Sequence, residues 1–225
     1  MEIFLCGGGS GRKVEKVFDI YLNNTNNRKN VLYIPLAEEK EKYLDCKRWF
    51  ENEIKKYNTK FKMIELSKEL NNINLNNFTH IFIGGGNTYK LLKELQDTTF
   101  FENLKSYQGK IWGSSAGAII FGKDINSCRL EDANKVNIHK TAGYNVINDC
   151  SILCHLNNEN YIKNERYLKE YSKKFKTIYL PEEDIIHIKE NKVEILGSKK
   201  YIIFDRGDVL KNKKEYGNFF QMIKA

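Results

Sequence analysis

The chain has 225 residues, 41% of them hydrophobic and 29% charged, which is enough for one sizeable core and reads as a single globular domain over residues 1–225. Its formal net charge of +8 is carried by short lysine pairs such as Lys55-Lys56 and Lys173-Lys174 mixed with Glu and Asn, the pattern of a solvated surface rather than a nucleic-acid-binding stripe. No apolar run approaches the roughly 20 residues that span a bilayer, and Met1-Glu2-Ile3-Phe4-Leu5 has no basic region ahead of a long apolar stretch, so a cytoplasmic protein without membrane contact is expected.

Taken in chain order, Glu2–Cys6 reads as a strand, Gly7-Gly8-Gly9 as a turn, and Lys13–Leu22 as a helix with Val14, Val17, Phe18 and Tyr21 on one face. A polar connection over Asn23–Asn30 leads to Val31–Ile34, an apolar run closed by Pro35. An amphipathic helix is then expected from Glu38 to about Tyr57. Lys62–Leu66 and His80–Ile83 are further short strands, separated by the polar stretch Asn71–Asn77. The second opens into Gly84-Gly85-Gly86-Asn87-Thr88 and the helical pattern Leu91, Leu92, Leu95. An apolar strand from Lys110 then runs into Gly113-Ser114-Ser115-Ala116-Gly117 and the small, helix-compatible run Ala116–Ile120. After an irregular polar segment, Asp124–Gly143, come a strand-like run Ser151–His155, a helix over Glu159–Phe175 and a strand Thr177–Leu180. Ile185–Ile188, Lys192–Leu196 and Tyr201–Phe204 follow as a meander, with Asn191 and Gly197 as turn residues. Strands alternating with helices imply an α/β fold: a mostly parallel sheet with helices on both faces, ligand chemistry at the carboxyl ends of its strands, and a C-terminal β meander.

The residues between Gly113 and Gly117 form a G-x-S-x-G elbow. A serine on so sharp a strand-to-helix turn is held out of the sheet, where backbone N–H groups and the positive end of the helix favour an oxyanion. That makes Ser115 the candidate nucleophile, with Gly113 and Gly117 where side chains would collide with the neighbouring strand and helix. A lone elbow is equally compatible with a small-residue turn, so other residues must decide. Acyl transfer by serine needs a base, a carboxylate to orient it and donors for the oxyanion. Of the four histidines, His155 alone ends an expected strand, where a parallel sheet presents active-site groups. The five cysteines, Cys6, Cys46, Cys128, Cys150 and Cys154, are odd in number and irregular in spacing, and read as reduced, mostly buried thiols. No metal or other cofactor is expected. The triple-glycine turn lacks both the G-x-G-x-x-G spacing and a following Lys-Ser/Thr that would suggest phosphate binding.

Three segments together resemble the peptidase E, or aspartyl dipeptidase, family of serine peptidases, whose fold is similar to the class I glutamine amidotransferases. They are Gly84-Gly85-Gly86-Asn87-Thr88 before a Leu-rich helix, Gly113-Ser114-Ser115-Ala116-Gly117-Ala118, and Cys154-His155. The last is a partial match, because family members often carry Pro where this chain has Cys154. The likeness runs from Glu2 through Leu180-Pro181-Glu182. It implies a Ser…Asp…His order: Ser115 as nucleophile, His155 as general base and Asp132 as the orienting carboxylate, with Glu131 and Asp124 close enough to compete. It also implies an oxyanion hole from the N–H of Ala116 and one from the glycine turn, with Gly85 preferred over Gly86. Arg166, on the helix after His155, resembles the family arginine that receives the side chain of an N-terminal aspartate, and Lys163 stands one turn earlier. The implied activity is hydrolysis of short peptides, dipeptides with N-terminal Asp foremost, by a monomer or homodimer whose partner is the small peptide substrate. Two alternatives stand beside it, a cyanophycinase-like hydrolase of β-aspartyl linkages and a catalytically silent binding protein of the same fold.

Overall fold

Alternation along each central strand builds the molecule. The computed structural model describes residues 1–23, 29–190 and 192–211. Part of the expected Asn23–Asn30 connection, residues 24–28, and the expected turn residue Asn191 lie outside the described residues. The strands are β1 (Glu2–Cys6), β2 (Lys29–Ile34), β3 (Thr59–Met63), β4 (His80–Ile83) and β5 (Lys110–Ser114), followed by β6 (Ser151–Leu153) and β7 (Thr177–Tyr179). The C-terminal strands are β8 (Ile185–Lys189), β9 (Lys192–Leu196), β10 (Ile202–Asp205) and β11 (Asp208–Lys211). Along β1, Phe4 and Cys6 point to one side of the sheet and Ile3 and Leu5 to the other. Val31 and Tyr33 of β2, Phe82 of β4 and Trp112 of β5 continue the first set, while Leu32, Ile34, Ile81, Ile83 and Ile111 continue the second. Because side chains alternate with period two, these runs give the sheet one aromatic face and one aliphatic face, both buried.

The main sheet has the order β3-β2-β4-β5-β1-β8-β9. Its first five strands are parallel, β8 adds antiparallel to β1, and β9 adds antiparallel to β8. Helices α1 (Glu15–Asn23) and α2 (Tyr43–Ile54) cover the aromatic face with Phe18, Tyr21, Leu22, Phe50 and Ile54. Helices α3 (Thr88–Gln96), α4 (Phe100–Leu104) and the one-turn α5 (Ala116–Ile119) lie on the aliphatic face, joined there by a second sheet of order β11-β10-β7-β6. Helix α6 (Asn158–Tyr171) connects β6 to β7. No helix among the described residues is long and apolar enough to cross a membrane.

Two expectations change. The C-terminal segments are not one meander: the β8–β9 hairpin completes the main sheet while β10 pairs with β7 in the second. Strand β3 spans Thr59–Met63 rather than Lys62–Leu66, because as an edge strand it pairs with β2 alone and its alternating Lys60 and Lys62 face solvent.

Candidate active site

Strand β5 ends at Ser114, and Ser115 adopts φ 51° and ψ −111°, a left-handed backbone that a non-glycine residue holds only under constraint. The constraint is local. Ser115 N–H donates to the carbonyl of Cys6 at 3.1 Å, while the Ser115 carbonyl accepts from Ala118 and Ile119 as α5 begins. A Cβ on Gly113 would stand 2.2 Å from the Gly117 carbonyl oxygen, and one on Gly117 would stand 2.4 Å from that of Ile83, so the elbow closes only with both glycines.

His155 follows β6, which belongs to the second sheet, so the histidine reaches Ser115 from beside the main sheet rather than from one of its own strands. Its φ is 62°, and its N–H donates to the Gly7 carbonyl while Asn160 Nδ2 donates to the His155 carbonyl. Its Nε2 lies 2.8 Å from Ser115 Oγ. Its Nδ1 lies 3.1 Å from Oε1 of Glu182, in the loop after β7. Gly8, at φ 122°, leaves room for the ring: a Cβ there would sit 2.1 Å from His155 Cε1.

The carboxylate at His155 is therefore Glu182, and Asp132 is otherwise engaged. Asp132 Oδ2 accepts the N–H of Thr88 at 2.9 Å, at the start of α3, where the exposed N–H groups and the helix dipole favour a negative charge. The competing acids are also occupied elsewhere. Glu131 is bonded to Lys163 and Asn164, and Asp124 to Asn126 N–H, Thr141 and Tyr171. Glu182 Oε2 receives Lys13 Nζ at 2.7 Å. The bond from Lys13 first, then that from His155, holds the Glu182 carboxyl below the usual carboxylate range. The sequence carried a signal for Glu182: it stands just past a strand with Pro181 before it, the same kind of position that singled out His155.

Gly85 faces Ser115, since a Cβ on it would lie 3.3 Å from Ser115 Cβ and 3.9 Å from Oγ. The turn around it is pinned by the N–H groups of Gly84 and Asn87, which donate to the carbonyls of Ile34 and Ala37. Ala116 is the first residue of α5, a position whose N–H has no partner within its helix. The structure separates Arg166 from this region. It lines a surface hollow with Ile162, Glu165, Lys169 and Lys173, none of which borders Ser115, because it points from the outer side of α6. Cys154 lies directly under the site, its Sγ 3.7 Å from the Ser115 carbonyl, and burial pushes its thiol well above the ordinary range, so it stays protonated.

Ser115, His155 and Gly86 stand where two cavities meet. One, of about 580 Å³, extends from Gly84–Gly86 to Tyr33, Phe82, Cys46 and Trp49. The other, of about 320 Å³, is bordered by Glu131, Asp132, Cys128 and Leu153.

A left-handed serine between strand and helix, in line with a histidine and a carboxylate, places the molecule among the α/β proteins with a nucleophile elbow. The chain belongs to peptidase family S51, whose model matches residues 3–196. It is 31% identical over 129 residues to an uncharacterized peptidase of Listeria monocytogenes. That match covers 54% of this chain and 58% of the relative, so it spans less than two thirds of that protein. A 1.5 Å crystal structure from Listeria monocytogenes EGD-e, provisionally described as a peptidase E protein, superposes with a TM-score of 0.70 at 22% identity. The superposition covers 88% of this chain and 98% of that one, a likeness of fold.

Proposed function

We propose that the protein is a serine peptidase that hydrolyses short peptides through an acyl-enzyme. The observation that carries this reading is the continuous line Ser115 Oγ, His155 Nε2, His155 Nδ1, Glu182 Oε1, with separations of 2.8 and 3.1 Å. With Glu182 accepting from Nδ1–H, Nε2 presents its lone pair to the serine and takes the hydroxyl proton as Oγ attacks the peptide carbonyl. The N–H groups of Gly85 and Ala116 are the candidate donors to the resulting oxyanion. Collapse of the tetrahedral intermediate expels the amine, which takes the proton from Nε2. Water, activated by the same nitrogen, then releases the acid and restores Ser115. Cavities of about 580 and 320 Å³ flanking the serine suit one or two residues on either side of a scissile bond. A preference for N-terminal Asp gains no support from Arg166, which is remote from Ser115, and the smaller cavity carries the carboxylates of Glu131 and Asp132.

The test pairs labelling with turnover. Wild-type protein should react with a fluorophosphonate at Ser115 and hydrolyse members of a dipeptide panel, and Ser115→Ala should abolish labelling and lower kcat by on the order of 10⁴ or more. Ser114→Ala should act mildly. Turnover by Ser115→Ala near that of the wild type would sink the proposal.

A further inference from the structure

The aromatic face of the main sheet is covered by helices along most of its length and borders a cavity beside Ser115. Phe4 and Trp112 are buried beneath Phe18 and Tyr21 of α1, and Phe50 of α2 is fully buried against Tyr33, ring centroids 4.3 Å apart and nearly parallel. Tyr33 and Phe82 stand near the carboxyl ends of β2 and β4, buried but bordering a cavity there. The preceding residue of α2, Trp49, sits over Phe82 at 5.9 Å between centroids, yet remains 37% exposed. Phe50 already anchors α2 to the sheet, so packing the helix does not require an indole at 49. Tyr33, Phe82 and Trp49, with the half-buried Cys46, form one wall of the same cavity that holds Ser115, His155 and Gly84–Gly86. Its volume of about 580 Å³ lies within the roughly 300–1,000 Å³ usual for small-ligand sites.

The rim settles what charge the occupant should lack. Glu38, Lys42 and Asp45 are its charged members, and each is paired: Lys42 with Glu38 at 3.0 Å, and Asp45 with Arg48 at 3.7 Å. An acidic side chain would find both neighbouring cations, Lys42 and Arg48, already matched by carboxylates, whereas an apolar one would meet the partly exposed indole of Trp49.

We propose that this wall is the subsite for an apolar or aromatic side chain of the residue flanking the scissile bond, with Trp49 as its specificity-determining residue. The inference rests on reading Ser115 as the group that attacks a peptide carbonyl. Two aromatic rings meeting in offset or edge-on geometry gain more than their buried area alone gives, and the gain falls with the ring that is removed. Because Trp49 is partly exposed on a helix, its truncation leaves the fold in place.

The experiment separates binding from turnover. The Ser115→Ala protein, unable to turn over, is titrated calorimetrically with Ala-Phe, Ala-Gly, Phe-Ala, Gly-Ala, Ala-Asp and Asp-Ala. At one of the two positions Phe should bind about tenfold or more tighter than Gly, with Asp weakest. Adding Trp49→Ala should collapse the Phe-over-Gly difference while leaving the Gly peptides within about twofold, and Trp49→Phe should retain most of it. The same ranking should appear in kcat/KM of protein with Ser115 intact, chiefly through KM. Equal binding of Phe and Gly peptides, no peptide binding at all, or a difference that survives Trp49→Ala would overturn the assignment. Discrimination without any hydrolysis by the wild type would uphold the subsite and sink the peptidase reading instead.

Discussion

Glu182 serves two partners with its two oxygens, Lys13 at Oε2 and His155 at Oε1. Both bonds favour its ionised form, so the carboxylate that holds the imidazole stays charged below the pH at which a free glutamate would protonate. Asp132 instead accepts one N–H at the start of α3, an arrangement that stabilises a helix end. The two acids should therefore differ in kind when neutralised. Glu182→Gln should leave thermal stability nearly unchanged and lower kcat by roughly 10² to 10⁴, because the imidazole loses the acceptor that fixes its tautomer. Asp132→Asn should lower stability by about 1 kcal/mol and leave turnover within roughly tenfold. Steady-state kinetics and thermal melts of the two variants check this, and the opposite pattern would return the orienting role to Asp132.

The elbow works because the short helix α5 lies almost in contact with the ends of β4 and β5. Such closeness is set by backbone against backbone, and neither partner can yield as a flexible side chain would. Gly117→Ala would press a methyl group to 2.4 Å from the Ile83 carbonyl oxygen and 3.1 Å from that of Gly84. It should therefore displace α5, cost about 1–3 kcal/mol or more, and slow fluorophosphonate labelling of Ser115 sharply. At Gly84 the nearest atoms to an added Cβ lie at 3.6 and 3.7 Å, ordinary contact, so Gly84→Ala should melt close to the wild type. Equal behaviour of the two variants in thermal unfolding and labelling would mean that the contact between α5 and the sheet does not position the nucleophile.

Across the whole molecule, stability should respond to pH through Asp184, which anchors the junction between the two sheets. Its backbone carbonyl accepts from Gly7, its side chain is almost wholly buried, and one of its oxygens, Oδ2, has no partner among the described residues. Burial pushes its pKa up to about 6. An unfolded chain titrates the same group near 4, so between about pH 4 and 6 the folded state holds the proton more tightly. Its contribution is thus present at low pH and lost as pH rises through 6. Asp184→Asn cannot ionise, so the melting temperature of the variant minus that of the wild type should grow from pH 4.5 to 7.5. A difference that stays flat over this range would show Asp184 ionised throughout.

By itself the sequence determined the elements whose causes are local. Short apolar runs bounded by turn residues marked β1, β2, β4 and β5, helical spacing marked α1 and α3, and the glycines around Ser115 marked a turn that only small residues can make. Ser115 and His155 stood out as candidates because each follows a strand, and Ala116 because it follows the serine, whereas Gly85 was singled out by the resemblance to the peptidase E family. What the tertiary structure alone decided is which distant groups share the site. Asp132 and Glu182 lie 23 residues before and 27 residues after His155, and although Glu182 stands just past a strand, that position alone does not bring its carboxylate to an imidazole. The pairing of β6 and β7 in a second sheet carries Glu182 to His155, and the orientation of α6 turns Arg166 away from both cavities. The split of the C-terminal strands has the same origin: hairpin signals specify neighbours along the chain, whereas which sheet an edge strand completes depends on the buried surface it finds there.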